Sequence, residues 1–309
     1  MGSSSGGWDP PSRGRVDDLI DRTRDETLRQ AYDVAVNRLL DDILQDLNDR
    51  DVAAVRQHLN ALKEILEADQ EGTIELFFGG SVLKHTYADG LSDVDMLAII
   101  NRSDLASKSP QEVIEAFGGG LRQRFPSTDI TTGELAVTIR YSDGVEIQIL
   151  PALRTSDGLH ISRADGGGWS NVTRPDAFAR KLTSVNQSQN GVVIPVIKLF
   201  KSLLESSESG VKLSGYHVES MAIEAFEHYT GPRTRKEMLQ YFLTGAAELV
   251  KTPIQDRSGQ SIHVDDYLGV PSSRERLDAA ARLQRLAKRL ESADRDNDVG
   301  GWTEMFPGD

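Results

Sequence analysis

The stretch from Glu75 to Ile100 limits what this chain can fold into more than any other. Leu76–Phe78 is a short apolar run that suits the end of a buried strand. Gly79-Gly80-Ser81 follows as a tight turn that opens a helix. Two adjacent glycines leave backbone N–H groups bare, and Ser81 adds a hydroxyl, a combination that can hold phosphate oxygens. Asp93-Val94-Asp95 then leads into Met96–Ile100, which reads as a second buried strand. Residues two apart on a strand point the same way. Asp93 and Asp95 therefore place two carboxylates on one face at the start of that strand.

Two neighbouring carboxylates repel each other unless positive charge lies between them. Hard divalent cations with oxygen ligands, Mg²⁺ above all and Mn²⁺ after it, meet that need. A phosphate cradle one turn from a metal-binding pair describes a site for a nucleoside triphosphate. Each piece alone is weak, since Gly-Gly-Ser is usually only a turn and Asp-x-Asp a solvated loop or cap. Their order carries the weight: strand, Gly-Ser turn, helix, Asp-x-Asp, apolar strand.

The remainder supplies the frame. Residues 1–14 are rich in Gly, Ser and Pro and read as disordered. Apolar residues recur at three- and four-residue steps from Val16 to Asp49, Leu28, Ala31, Val34, Leu39, Ile43 and Leu47 among them. A second helix is expected from Asp51 to Ala68, with Val55, Leu59, Leu62, Ile65 and Leu66 as its stripe. Ser109-Pro110-Gln111-Glu112 is a helix start, and Phe125-Pro126 stops that helix. Glu134–Tyr141 and Val145–Leu150 read as a hairpin around Ser142-Asp143-Gly144. Arg154 to Arg174 is loop-like, and beyond it the pattern is helical at 175–186, 189–206, 214–229, 233–249 and 272–292. Trp302 and Phe306 are expected to anchor the tail.

Composition excludes some classes of function. The chain has 309 residues, no cysteine and a formal net charge of -13. Without cysteine there is neither disulfide nor Cys-based zinc site, which fits a reducing cytoplasm. The Gly/Ser-rich start lacks the apolar core of a secretory signal, and no run of about 18 apolar residues predicts a membrane span. The acidic total and the lack of a long Lys/Arg block favour small nucleotides over long nucleic acid as partners.

The order of motifs in Glu75–Ile100 resembles the signature of the polymerase-β-like nucleotidyltransferases. Three segments narrow the resemblance. Val145-Glu146-Ile147-Gln148-Ile149-Leu150-Pro151-Ala152 is similar to the strand that carries the third catalytic carboxylate in oligoadenylate synthetases and in bacterial relatives of cyclic GMP–AMP synthase. Those proteins have Asp where this chain has Gln148. Val196–Leu203 resembles a helix whose Lys contacts the donor triphosphate, which falls on Lys201, although Leu203 replaces the usual Trp. Leu213–Glu219 resembles the Ser-Tyr…Glu stretch that opens the next helix, with Ser214 toward a phosphate and Tyr216 under a base. Together they look like a cGAS/DncV-like nucleotidyltransferase, a bacterial synthase of cyclic oligonucleotide signals in anti-phage defence.

The resemblance implies an α+β, two-lobed fold: a small mixed sheet with N-terminal helices over 15–165, and a C-terminal helical domain over 166–309. It implies Mg²⁺ or Mn²⁺ on Asp93 and Asp95, and ATP with other NTPs held by Gly80, Ser81, Lys201, Ser214 and Tyr216. The products are pyrophosphate and a cyclic di- or oligonucleotide, read by a downstream effector, with a regulatory partner protein also implied. The third carboxylate leaves three readings open. Glu146 shares a strand face with Gln148 and takes over as metal ligand and base; or Gln148 ligates through its amide oxygen; or the site binds nucleotides without turnover. Of these Glu146 is the favoured one. The rival functions are a same-fold enzyme acting on RNA or protein, and a nucleotide-binding regulator with a degraded site.

Overall fold

The structure is a computed structural model that describes residues 13–49, 52–68, 72–88, 94–163, 168–170, 175–206, 212–256 and 263–306. Two helices come first, α1 (Arg13–Asp46) and α2 (Val52–Ala68). Then follow β1 (Gly72–Phe78), the single turn α3 (Gly80–Leu83), β2 (Val94–Ser103), α4 (Pro110–Arg124), β3 (Asp129–Thr132), β4 (Val137–Arg140), β5 (Glu146–Arg154) and β6 (Leu159–Ile161). Helices complete the chain: α5 (Pro175–Ser188), α6 (Val193–Ser206), α7 (Gly215–Phe226), α8 (Arg235–Leu249), α9 (Arg274–Arg295) and α10 (Val299–Thr303). The fold is the expected α+β arrangement, a small mixed sheet followed by a helical region. The expected disorder of residues 1–14 falls on residues outside the described ones, except that Arg13 and Gly14 open α1. Residues on either side of the expected boundary at 165/166 also lie outside them.

The sheet runs β1-β2-β5-β4-β3, with β6 paired to the far half of β5. Only β2 and β5 are parallel, and their register sets Asp95 opposite Gln148. A parallel pair needs a long crossover, and α4 with β3 and β4 supplies it. Alternation then sorts the side chains. Val94, Ala98, Ile100, Ile147 and Ile149 go to one face, against Val55, Leu62 and Leu66 of α2 and Val113, Phe117 and Leu121 of α4. Each fully buried Val, Ile, Leu or Phe among them contributes roughly 1.5–3 kcal/mol. Asp95, Leu97, Gln148 and Leu150 go to the other face, which is left for the site.

The helix start at Ser109 is a complete capping box. Ser109 N–H donates to Glu112 Oε2 at 2.9 Å and the Ser109 hydroxyl accepts from Glu112 N–H at 3.4 Å. The hairpin turn is as expected, with Gly144 at φ 88°. Two strands depart from the sequence reading. Asp129–Thr132 pairs with β4, and Leu159–Ile161 forms a strand inside the stretch read as loop. The stripe of α1 is also corrected: Leu28 and Val34 are exposed, while Tyr32, Val36, Leu40 and Leu44 are buried. That face packs with α5–α10, not with the sheet. Trp302 and Phe306 are buried as anchors, and Trp302 Nε1 donates to the Tyr32 hydroxyl at 2.7 Å. Among the described residues no helix is long and apolar enough to cross a membrane.

Candidate active site

The free face of β2 and β5 floors a cavity of about 650 Å³, walled by the turn around α3 and by α5, α6 and α7. That volume suits a small-molecule ligand. The turn is shaped around Asp95. Gly79 N–H donates to the Asp95 backbone carbonyl at 2.8 Å, and Ser81 N–H donates to Asp95 Oδ2 at 3.3 Å. The expectation that the two glycines leave their N–H groups bare is therefore corrected for Gly79, and the Ser81 N–H is engaged as well. Gly80 has φ 43°, and a Cβ there would lie 1.5 Å from Asp95 Oδ2. Backbone conformation and space both require glycine at that position.

Gly80, Ser81, Asp95, Gln148, Lys201, Ser214 and Tyr216 all line this one cavity. Asp93 lies outside the described residues. Glu146 shares the strand face of Gln148 but is not part of the lining; Arg140 Nε donates to its Oε2 at 2.7 Å and Arg140 Nη2 to its Oε1 at 3.4 Å. Among the described residues no three His, Asp or Glu side chains converge as a metal-binding group. Asp95 and Gln148 sit side by side and offer oxygen donors, the chemistry that Mg²⁺ and Mn²⁺ prefer.

Opposite the floor the sequence reading missed a charge cluster. Glu219, only 1% exposed, faces Lys84 with one oxygen. Its Oε1 accepts from Lys201 Nζ at 3.3 Å and from the Thr86 hydroxyl. Lys201 also donates to the Thr86 carbonyl at 3.0 Å. Burial works against the Glu219 carboxylate, but Lys84 and Lys201 outweigh it and hold its pKa below the usual carboxylate range. Burial pushes the Asp95 carboxyl up, while the Ser81 N–H and the Lys84 charge pull it down. The signal for Lys84 was its place three residues after Ser81, and for Glu219 its place in the Ser-Tyr…Glu stretch.

The other side of the cavity is aromatic and aliphatic. Phe178 and Tyr216 are tilted rings with centroids 4.6 Å apart, and Leu135, Leu150, Leu159 and Leu213 are among the aliphatic side chains beside them. The Tyr216 hydroxyl donates to Asp256 Oδ1 at 2.6 Å, which fixes the ring. Ser214 caps α7, its hydroxyl accepting from His217 N–H at 3.2 Å. Acidic floor, cationic wall and aromatic pocket thus meet in one space.

Comparison with known proteins finds a matching family and similar folds. Residues 34–186 match the family described as Second Messenger Oligonucleotide or Dinucleotide Synthetase domain. A cyclic AMP-AMP-AMP synthase of an Acinetobacter species is 24% identical over 188 residues, which cover 55% of this chain and 52% of that protein. The chain thus spans about half the length of this curated relative. Among solved structures, Escherichia coli MS115-1 CdnC with ATP superposes with a TM-score of 0.65 at 17% identity, covering 89% of this chain and 98% of that one. Escherichia coli DncV with 3′-deoxy GTP gives 0.62 at 12% identity, covering 96% and 91%. With its motif order, its fold and the domain match in agreement, residues 34–186 of this chain form a domain of the second messenger oligonucleotide or dinucleotide synthetase family, the cGAS/DncV-like nucleotidyltransferases.

Proposed function

We propose that this chain is a divalent-metal-dependent nucleotidyltransferase that joins NTPs, ATP among them, into a cyclic di- or oligonucleotide and releases pyrophosphate. The observation that carries this reading is the pairing of Asp95 with Gln148 on the cavity floor, facing Lys201 across the same space. Asp93, Asp95 and Gln148, with Glu146, are the residues that would hold Mg²⁺ or Mn²⁺. Bound there, the metal supplies Lewis-acid stabilisation of phosphoryl charge and lowers the pKa of an attacking hydroxyl.

The chain's own residues do the rest. Lys201 is a compact cation for the donor triphosphate. The Ser81 and Ser214 hydroxyls donate to phosphate oxygens, and the Tyr216 ring supports a base. Gln148 is neutral, so it can ligate but not accept a proton. Glu146 can do both once its carboxylate leaves Arg140. That ion pair is exposed, and exposed pairs contribute little. The acidic composition supports a nucleotide rather than RNA as acceptor. Gln148 is the one observation that favours a second reading, a regulator that binds nucleotides without turnover. In either case the product or bound nucleotide is a signal for an effector, and a regulatory protein partner remains part of the proposal.

Asp95→Asn tests the reading at its centre. Asn keeps an acceptor for the Ser81 N–H but removes the charge that burial penalises. Pyrophosphate release should fall to background while the melting temperature holds or rises. Full turnover in the folded variant would remove Asp95 from the reaction.

A further inference from the structure

Glu219 and Lys84 are outside the machinery named above, yet with Lys201 they form a buried charge cluster in the cavity wall. Lys84 and Lys201 are each 10% exposed and both face the one carboxylate of Glu219. The Thr86 hydroxyl takes up part of that carboxylate as well. One carboxylate balances one ammonium, so the cluster holds a positive charge beyond what Glu219 neutralises. Like charges in a low-dielectric wall repel, and such an arrangement suits a site completed by an anion. Burial holds the Lys201 pKa below its ordinary value, Glu219 opposes this, and the neighbouring Lys84 charge adds to it. Asp95 lies within electrostatic reach of both lysines and Glu205 also lines the cavity, so the excess is local to the wall around Glu219; in the proposed reaction the Asp95 charge is taken up by the metal, which leaves the lysines to an anion.

The walls that meet here come from separate parts of the chain. Lys84 and Thr86 follow α3, whereas Lys201 and Glu219 stand on α6 and α7. The Lys84 ammonium lies 5.3 Å from the Phe178 ring centroid and 5.1 Å from that of Tyr216, so its charge borders the aromatic pocket.

We propose that Lys84 is a second triphosphate-binding cation beside Lys201, and that Glu219 is a positioning residue that aims both ammoniums into the cavity. This rests on the reading of the cavity as a nucleoside triphosphate site. A polyphosphate spreads several charges over its length, and two separated ammoniums match it better than one. Glu219 touches no substrate in this arrangement and acts through the lysines.

The test is titration of the full-length chain with ATP and with inorganic tripolyphosphate, at several salt concentrations. Wild type should bind both. Lys84→Met should weaken both on the order of tenfold or more, the range for a lost hydrogen bond to a charged group, and should flatten the salt dependence. Lys84→Arg should recover most of the affinity. Glu219→Gln should weaken tripolyphosphate and raise KM for ATP more than it lowers kcat. If Lys84→Met does not fold, Lys84→Gln replaces it, and Glu219→Asp replaces Glu219→Gln in the same way. Wild-type affinity and salt dependence in folded Lys84 variants would overturn the role of Lys84. Wild-type tripolyphosphate affinity in a folded Glu219 variant would overturn the positioning role. A wild-type chain that binds neither ATP nor tripolyphosphate would instead defeat the nucleotide-site reading beneath both.

Discussion

Gln148 stands level with Asp95 on the parallel strand pair, and an amide there changes what the floor can do. It lowers the negative charge facing a metal and leaves no base at that position. Glu146 is on the same face two residues earlier, tied to Arg140 at the rim. If Glu146 supplies the third carboxylate, Glu146→Gln should cost on the order of 10² or more in rate, the range for a positioned base. Gln148→Asp should then add little. Rates at fixed Mg²⁺, repeated with Mn²⁺, decide this; a fully active Glu146→Gln protein beside a faster Gln148→Asp protein reverses the assignment. Asp95 and the glycines of the turn were legible in the sequence because their spacing is local. Lys84 and Glu219 were not, because a lysine on a short polar stretch reads as solvated until the fold brings a buried carboxylate to it. The bare N–H group expected at Gly79 was misjudged for the same reason: its acceptor, Asp95, comes from the next strand.

At the scale of elements, α7 matters most because its start carries Ser214 into the cavity. A buried chain of contacts holds that start. Arg276 Nη1 donates to Asp265 Oδ2 at 2.6 Å, and the same oxygen lies 3.4 Å from His217 Nε2. His217 Nδ1 is 3.0 Å from the Tyr267 hydroxyl, which accepts the Ser214 N–H at 3.0 Å. Burial pushes the His217 pKa down to about 4; Asp265 opposes this and Arg276 adds to it. The native imidazole is thus neutral, whereas in the unfolded chain it takes a proton near pH 6.5. Between those values the unfolded state binds more protons, so stability is full above pH 6.5 and is lost as pH falls toward 4. The expected loss is on the order of 1–3 kcal/mol. Urea unfolding of wild type and His217→Gln at pH 7 and pH 5 isolates it. Equal pH sensitivity in the two proteins would remove His217 from the account. Strong periodicity and caps made α2, α4, β5 and the C-terminal helices readable from sequence. Strands β3 and β6 were missed because four and three residues are too few for alternation to show.

At the scale of the whole molecule, two cores meet at the cavity. One is the sheet with α2 and α4; the other gathers α1 with α5–α10. An amphipathic pattern announces that α1 has a buried face, but nothing local says which core receives it, so its place with the C-terminal helices had to come from the structure. The two-part architecture was legible all the same, since strands crowd the first half and helices the second. In the proposed function the cavity between these cores makes a cyclic nucleotide. The most direct measurement is incubation of the full chain with α-labelled ATP, alone and with each other NTP, plus Mg²⁺ or Mn²⁺, followed by phosphatase treatment and chromatography. The expected result is pyrophosphate release and a labelled product that resists phosphatase and is absent with Asp95→Asn. Label recovered only as unreacted nucleotide, from a chain that is folded and binds ATP, would contradict it.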